Sequence, residues 1–165
     1  MDVFVDENNE NYRDFTYNDG GKYVGEVIND RREGKGIFYY ANGDRYEGHW
    51  RDDQKDGKGI YYYNNGNRYE GDFVRNRIEG KGIMYYNNGD RYEGDWRNGK
   101  REGRGILFCE SGDRYEGNFR NGQPSGNIKI YYNNGDLYVG GYDDGRYRGE
   151  GILYHNNGKK EQVRY

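Results

Sequence analysis

The chain has 165 residues, a net charge of −3, an apolar fraction of only 32% and 21 tyrosines. That composition excludes a thick aliphatic core, while an aromatic fraction of 18% argues against the disorder that low hydropathy alone would suggest, because large amphipathic rings can hold a thin sheet. The single cysteine, Cys109, leaves no partner for an internal disulfide and points to an intracellular chain, and no stretch approaches the roughly 18 apolar residues of a membrane span.

Residues 1–22 form an acidic lead-in, with two cations against six acids. Its first ten residues, MDVFVDENNE, carry acid and no apolar run, so they do not resemble a secretory signal. Residues 13–17 are predicted to be a strand that covers the first edge of a repeat array. From Tyr23 the chain repeats itself every 23 residues, with copies starting at Tyr23, Tyr46, Tyr69, Tyr92, Tyr115 and Tyr138. Six copies thus occupy 23–45, 46–68, 69–91, 92–114, 115–137 and 138–160, and a capping strand is expected at 161–165. A fixed period of this size means a supersecondary unit that is stabilised by stacking on its neighbours.

Positions within a copy are numbered 1 to 23 from the tyrosine. Positions 1–6 alternate with period two (Tyr46, Glu47, Gly48, His49, Trp50, Arg51), which predicts a strand. Positions 7–11 are polar and read as a loop. Positions 12–18 (Gly57 to Tyr63) are β-branched and aromatic and read as a second strand. Asn-Gly comes next, at Asn42-Gly43, Asn65-Gly66, Asn88-Gly89, Asn134-Gly135 and Asn157-Gly158, with Ser111-Gly112 in the fourth copy, a signature of a two-residue hairpin turn. The expected fold is all-β: an elongated, twisted, single-layer antiparallel sheet of tandem 23-residue β-hairpins.

Taking positions 7–11 as a five-residue link and Asn-Gly as a two-residue link sets position 1 opposite 17, 3 opposite 15 and 5 opposite 13. In that register Tyr46 and Tyr62 share a face, Gly48 alternates with Ile60, and Trp50, Phe73 and Trp96 lie beside Lys58, Lys81 and Arg104 as cation–π pairs. Tyr40, Tyr63, Tyr86 and Tyr132 at position 18 make a second aromatic stripe on the opposite face. These ten residues are the expected partner-binding set. In the fifth copy Ile128 replaces Gly and Lys129 replaces Ile, so Lys129 is expected between Gly117 and Gly140; the departure reads as a drifted repeat, as a bulge that restores Ile to the packed face, or as a local binding feature.

The segments Tyr-Glu-Gly-x-Trp/Phe, Gly-Lys-Gly-Ile and Asn-Gly-Asp-Arg at this period resemble the MORN repeat, named for membrane occupation and recognition, over residues 14–165. The resemblance implies an elongated sheet of stacked hairpins and an interaction module. Repeats of this kind occur in junctional proteins, beside phosphoinositide kinase domains, in cytoskeletal rings and ciliary complexes, and ahead of a lysine methyltransferase domain. Copies 5 and 6 depart from the pattern at Ile128, Lys129, Val139 and Gly141.

No enzyme, cofactor, metal or small-molecule substrate is expected. His49 and His155 lie four copies apart, Cys109 has no nearby His, and Asp44, Asp90, Asp113 and Asp136 recur about 10 Å apart, too far for one calcium shell. Each copy is neutral to within one charge, which disfavours nucleic acid and anionic membrane. The expected function is a non-enzymatic scaffold binding a partner protein or a second copy of itself along a curved aromatic sheet face or at a sheet end, cytoplasmic and in a cytoskeletal, ciliary or membrane-proximal assembly. The alternatives are a phosphoinositide-binding module or the regulatory N-terminal part of a larger lipid kinase or methyltransferase.

Overall fold

A computed structural model describes residues 6–165; the first five residues of the lead-in lie outside the described residues. Among the described residues fourteen antiparallel strands succeed one another in chain order. They fall into two compact units, residues 1–87 and 88–165. The first holds β1 (Tyr12–Thr16), β2 (Lys22–Ile28), β3 (Arg31–Tyr39), β4 (Arg45–Arg51), β5 (Gln54–Tyr62), β6 (Arg68–Val74) and β7 (Arg77–Tyr85). The second holds β8 (Arg91–Arg97), β9 (Lys100–Phe108), β10 (Arg114–Arg120), β11 (Gln123–Tyr131), β12 (Leu137–Asp143), β13 (Arg146–Tyr154) and β14 (Lys160–Arg164). No helix among the described residues is long and apolar enough to cross a membrane.

The all-β hairpin array is as the period implies, but the register is not. The tight two-residue link sits at positions 7 and 8, where both residues have positive φ: Asn29 and Asp30 at 50° and 60°, Asp52 and Asp53 at 46° and 63°, Arg75 and Asn76 at 46° and 69°. These are hairpin turns of type I′, whose twist suits the flanking strands. Strand β5 therefore starts at position 9, inside the stretch expected to be loop. The Asn-Gly link is the longer one. Tyr40 N–H donates to Asp44 O at 2.9 Å and Gly43 N–H to Tyr40 O at 3.0 Å, so three residues separate the last bonded pair. Only the glycine, at φ 92°, is left-handed.

The shorter first link with its bulge and the longer second link give a net register shift of one residue, which exchanges the sides of every partner, since side chains alternate with period two. Position 1 lies opposite 16 (Tyr46 and Tyr61), 2 opposite 15 (Glu47 and Ile60), and 3 opposite 14 (Gly48 and Gly59). Tyr46 and Tyr62 consequently occupy opposite faces. A bulge accompanies the shift: Gly48 pairs with Gly59 but Trp50 pairs with Lys55, leaving three residues of β5 against His49. Glycine at position 12 carries the bulge with φ of 64° at Gly34, 106° at Gly57 and 83° at Gly80. A carboxylate at position 4 closes it, as Asp72 accepts from the Lys81 N–H at 2.9 Å and Asp95 from the Arg104 N–H at 2.9 Å.

The paired glycines at 3 and 14 exist for the tyrosine at 1. Tyr46 lies across Gly48 and Gly59 and its hydroxyl donates to His49 O at 2.9 Å. Tyr23, Tyr69 and Tyr138 repeat the clasp onto Glu26, Asp72 and Gly141 carbonyls at 2.8, 3.1 and 2.9 Å. Aromatic residues at position 5 then stand edge-on to two tyrosines each. Trp50 meets Tyr23 at 5.6 Å and Tyr46 at 5.2 Å, and Phe73 meets Tyr46 at 5.0 Å and Tyr69 at 5.3 Å. This chain of rings is the core of the first unit. In the second, Tyr92 holds Trp96 and Phe119 in the same way.

The fifth copy is repaired by this register. Ile128 faces Gly117 and Gly140, Ile128 and Ile130 are buried on the tyrosine face, and Lys129 lies on the other face between Glu116 and Val139, not between the two glycines. With isoleucine where the clasp needs glycine, Tyr115 is only partly buried, whereas Tyr92 and Tyr138 are sealed. Residues 138–160 keep the pairing of the other copies, and Val163 of β14 packs against Ile128, Ile130 and Tyr138.

Candidate functional site

Of the ten expected partner-binding residues, three are core. Trp50, Phe73 and Trp96 are 3, 3 and 5% exposed, and they do not lie beside Lys58, Lys81 and Arg104, which the one-residue shift sends to the opposite face. Lys58 there pairs with Asp72 at 2.5 Å, and Arg104 is exposed. The cation over the rings comes instead from position 10. The Arg32 guanidinium lies 4.4 Å from the Trp50 ring centre, and Lys55 Nζ lies 4.8 to 5.6 Å from the rings of Tyr61, Tyr40 and Tyr46. Burial, with Arg32 nearby, lowers Lys55 to about 8.

The position-18 tyrosines are half-buried and share the core face, contrary to the expected register. Tyr40 packs on Phe38 at 4.5 Å, Tyr63 on Tyr61 at 4.5 Å, and the hydroxyls of Tyr132 and Tyr147 are hydrogen-bonded; Tyr86 is half-buried at the same place in its repeat. Burial pushes Tyr40 up to about 12. The recurring Asp after Asn-Gly binds the next loop. Asp44 accepts from Asn64 N–H at 2.8 Å, Asp113 from Asn133 N–H at 2.8 Å and Asp136 from Asn156 N–H at 2.9 Å. Among the described residues no three His, Cys, Asp or Glu gather as a metal ion would require.

The face away from the clasps carries a row that the sequence register concealed. Position 17 lies opposite position 23 on both sides, so Tyr39, Arg45, Tyr62, Arg68 and Tyr85 stand in one line across β3 to β7. Each guanidinium stacks on the next ring, Arg45 on Tyr62 at 4.2 Å and Arg68 on Tyr85 at 4.3 Å. The second unit repeats the motif with Arg91 on Phe108 at 4.3 Å and Arg114 on Tyr131 at 4.0 Å. Glutamate at position 2 holds the arginine from the side, as Glu47 does Arg45 at 2.9 Å. Beside this row runs a second, in which Glu47 and Glu70 flank Ile60, itself 6% exposed. Tyr39 is 41% exposed and Tyr62 and Tyr85 are half-buried. The Nε atoms of Arg45 and Arg114 are buried without a hydrogen-bond partner, a cost of about 1–3 kcal/mol each that stacking must offset. Rings fixed by stacked guanidinia lose little entropy when something docks on them.

These features define a repeat protein of stacked β-hairpins with an ordered aromatic and cationic surface. The chain belongs to the MORN repeat family: the family model described as MORN repeat matches residues 23–45, 46–68, 69–91, 92–114 and 115–137. Among solved structures, the TCP domain of SAS-4 from Drosophila melanogaster, in complex with a proline-rich motif of Ana2, is 17% identical with a TM-score of 0.56, covering 100% of this chain and 97% of that one. The TCP10 domain of CPAP from Danio rerio is 15% identical with a TM-score of 0.58, covering 92% and 73%. At these identities the likeness is one of fold. No curated relative matches the chain by sequence.

Proposed function

We propose that this chain is a non-enzymatic scaffold that binds a segment of a partner protein across its sheet, and that the contact row is Tyr39, Arg45, Tyr62, Arg68 and Tyr85. The observation that carries this reading is that row itself: alternating rings and guanidinia, partly exposed, fixed in place, and built from residue types that dominate protein interfaces. A domain of the same fold that was solved with a peptide motif in complex supports a protein segment as the ligand. The exposed cations Lys58 and Lys81 share that face of the first unit and supply the row's polar surround; Arg104 holds the same repeat position in the second unit. We read 1–22 as a lead-in and cap, 138–160 as a sixth repeat and 161–165 as a closing strand, in a protein that works in the cytoplasm within a cytoskeletal, ciliary or membrane-proximal assembly.

The test is selection of binders to the full chain from a random peptide display library, then binding to a Tyr39→Ala, Tyr62→Ala, Tyr85→Ala variant. Loss of binding at least tenfold supports the row; unchanged binding refutes it. Sedimentation with vesicles of neutral lipid, with and without phosphoinositide at low salt, separates the membrane alternative. Neutrality within each repeat leads us to expect no difference between the two vesicle types.

A further inference from the structure

We infer that the row on the first unit takes a proline-rich segment in the polyproline II conformation, lying across the strands with a proline at every third residue. This rests on the scaffold reading above and names the chemistry of the segment. The register puts Tyr39, Tyr62 and Tyr85 on alternate strands of one line. Neighbouring strands are about 4.8 Å apart, so the rings recur every ~9.6 Å. A polyproline II helix has three residues per turn and a rise of 3.1 Å, a repeat of about 9.3 Å along one of its edges. Residues i, i+3 and i+6 of such a segment therefore meet the three rings in turn. An extended strand presents one side chain every ~6.6 Å and an α-helix has a pitch of 5.4 Å, and neither keeps step with the rings over three repeats.

Electrostatics select the same ligand. Between the rings the row offers the guanidinia of Arg45 and Arg68, and the N–H groups of Arg45 that neither Glu47 nor burial takes up remain as donors. A proline-rich segment is the matching opposite, since proline lacks the N–H and the polyproline II backbone makes no internal hydrogen bonds, leaving its carbonyls as open acceptors. Proline rings packed on aromatic faces are a recurring mode of peptide capture. A guanidinium stacked against each of Tyr62 and Tyr85 fixes those rings before the ligand arrives.

The experiment uses two synthetic 12-residue peptides of alanine and four prolines, one with proline at every third position and one with the same composition irregularly spaced, titrated into the full chain by fluorescence anisotropy. The periodic peptide is expected to bind at least tenfold more tightly than the irregular one. Tyr62→Ala should weaken it at least tenfold, and Arg45→Gln severalfold, with native far-ultraviolet dichroism and a cooperative melt above the assay temperature showing that both variants are folded. Equal binding of the two peptides, or binding that Tyr62→Ala leaves intact, overturns the inference. The display selection distinguishes the levels: binders that depend on the row but lack a three-residue proline period overturn this inference and leave the scaffold reading standing, whereas the absence of any row-dependent binder overturns both.

Discussion

Replacing Gly59 by alanine tests the clasp on which the core depends. Gly59 has no positive φ, so the backbone accepts an alanine and the cost is steric. The new Cβ would stand 2.5 Å from both Cε2 and the hydroxyl of Tyr46, a ring that is wholly buried. If the sheet flexes to admit the methyl, overpacking costs about 1–3 kcal/mol. If the ring is expelled, its 150–250 Å² of surface at about 25 cal/mol per Å² sets an upper bound of ~4–6 kcal/mol, and the hydrogen bond to His49 O is lost as well. The expected destabilisation is therefore about 2–5 kcal/mol, measured by urea denaturation monitored by dichroism. Gly145→Ala is the control, because Gly145 has φ 74° and open space around its Cβ, so it should cost only the backbone term of about 1–2 kcal/mol. The fifth copy already carries a version of this experiment: with Ile128 at the corresponding position, Tyr115 is only partly buried. A Gly59→Ala protein no less stable than Gly145→Ala would refute the reasoning.

Tyr46→Phe keeps the ring and removes only its hydroxyl, so it should cost about 1–3 kcal/mol through the unpaired carbonyl, and an unchanged melting temperature would deny the bond a role. Trp50→Ala should cost about 3–5 kcal/mol, while Tyr39→Ala should stay within about 0.5 kcal/mol and affect binding alone; the reverse ranking in denaturation would return Trp50 to the surface. Burial raises the phenols of Tyr23, Tyr46 and Tyr69 well above their ordinary value of 10.0, so above pH 10 the unfolded chain releases protons that the folded chain keeps. Stability is complete below pH 10 and falls above it by up to ~4 kcal/mol per pH unit for the three together, which melting between pH 9 and 11.5 will show or deny. Lys55, lowered from 10.5 to about 8, acts in the other direction: its burial penalty is full below pH 8 and fades toward pH 10.5. Lys55→Met should accordingly stabilise the protein by about 1–2 kcal/mol at pH 7, after the lost cation–π contacts are set against the relieved charge, and an unstable variant would show that those contacts dominate.

The period of 23, the alternation in Tyr46–Arg51 and the glycine-bounded β-branched runs determined by themselves that this chain is a row of hairpins and a MORN array. They did so because strand propensity, turn chemistry and repetition all act locally and agree. Which face each side chain takes was not local. Both links contain residues that tolerate positive φ, Asn29-Asp30 and Asn42-Gly43, and turn preferences alone rank them by too little to choose. The choice falls to the tertiary structure, where only one register sets Gly48 opposite Gly59 and gives Tyr46 a flat bed, and a buried ring is worth several times the difference between two turns. The hint present in the sequence was the pairing of glycines at positions 3 and 14 with a tyrosine at 1. The same one-residue decision sends Trp50, Phe73 and Trp96 into the core, carries Lys58 and Arg104 away from them, and brings Tyr39, Arg45 and Tyr62 into line on the surface.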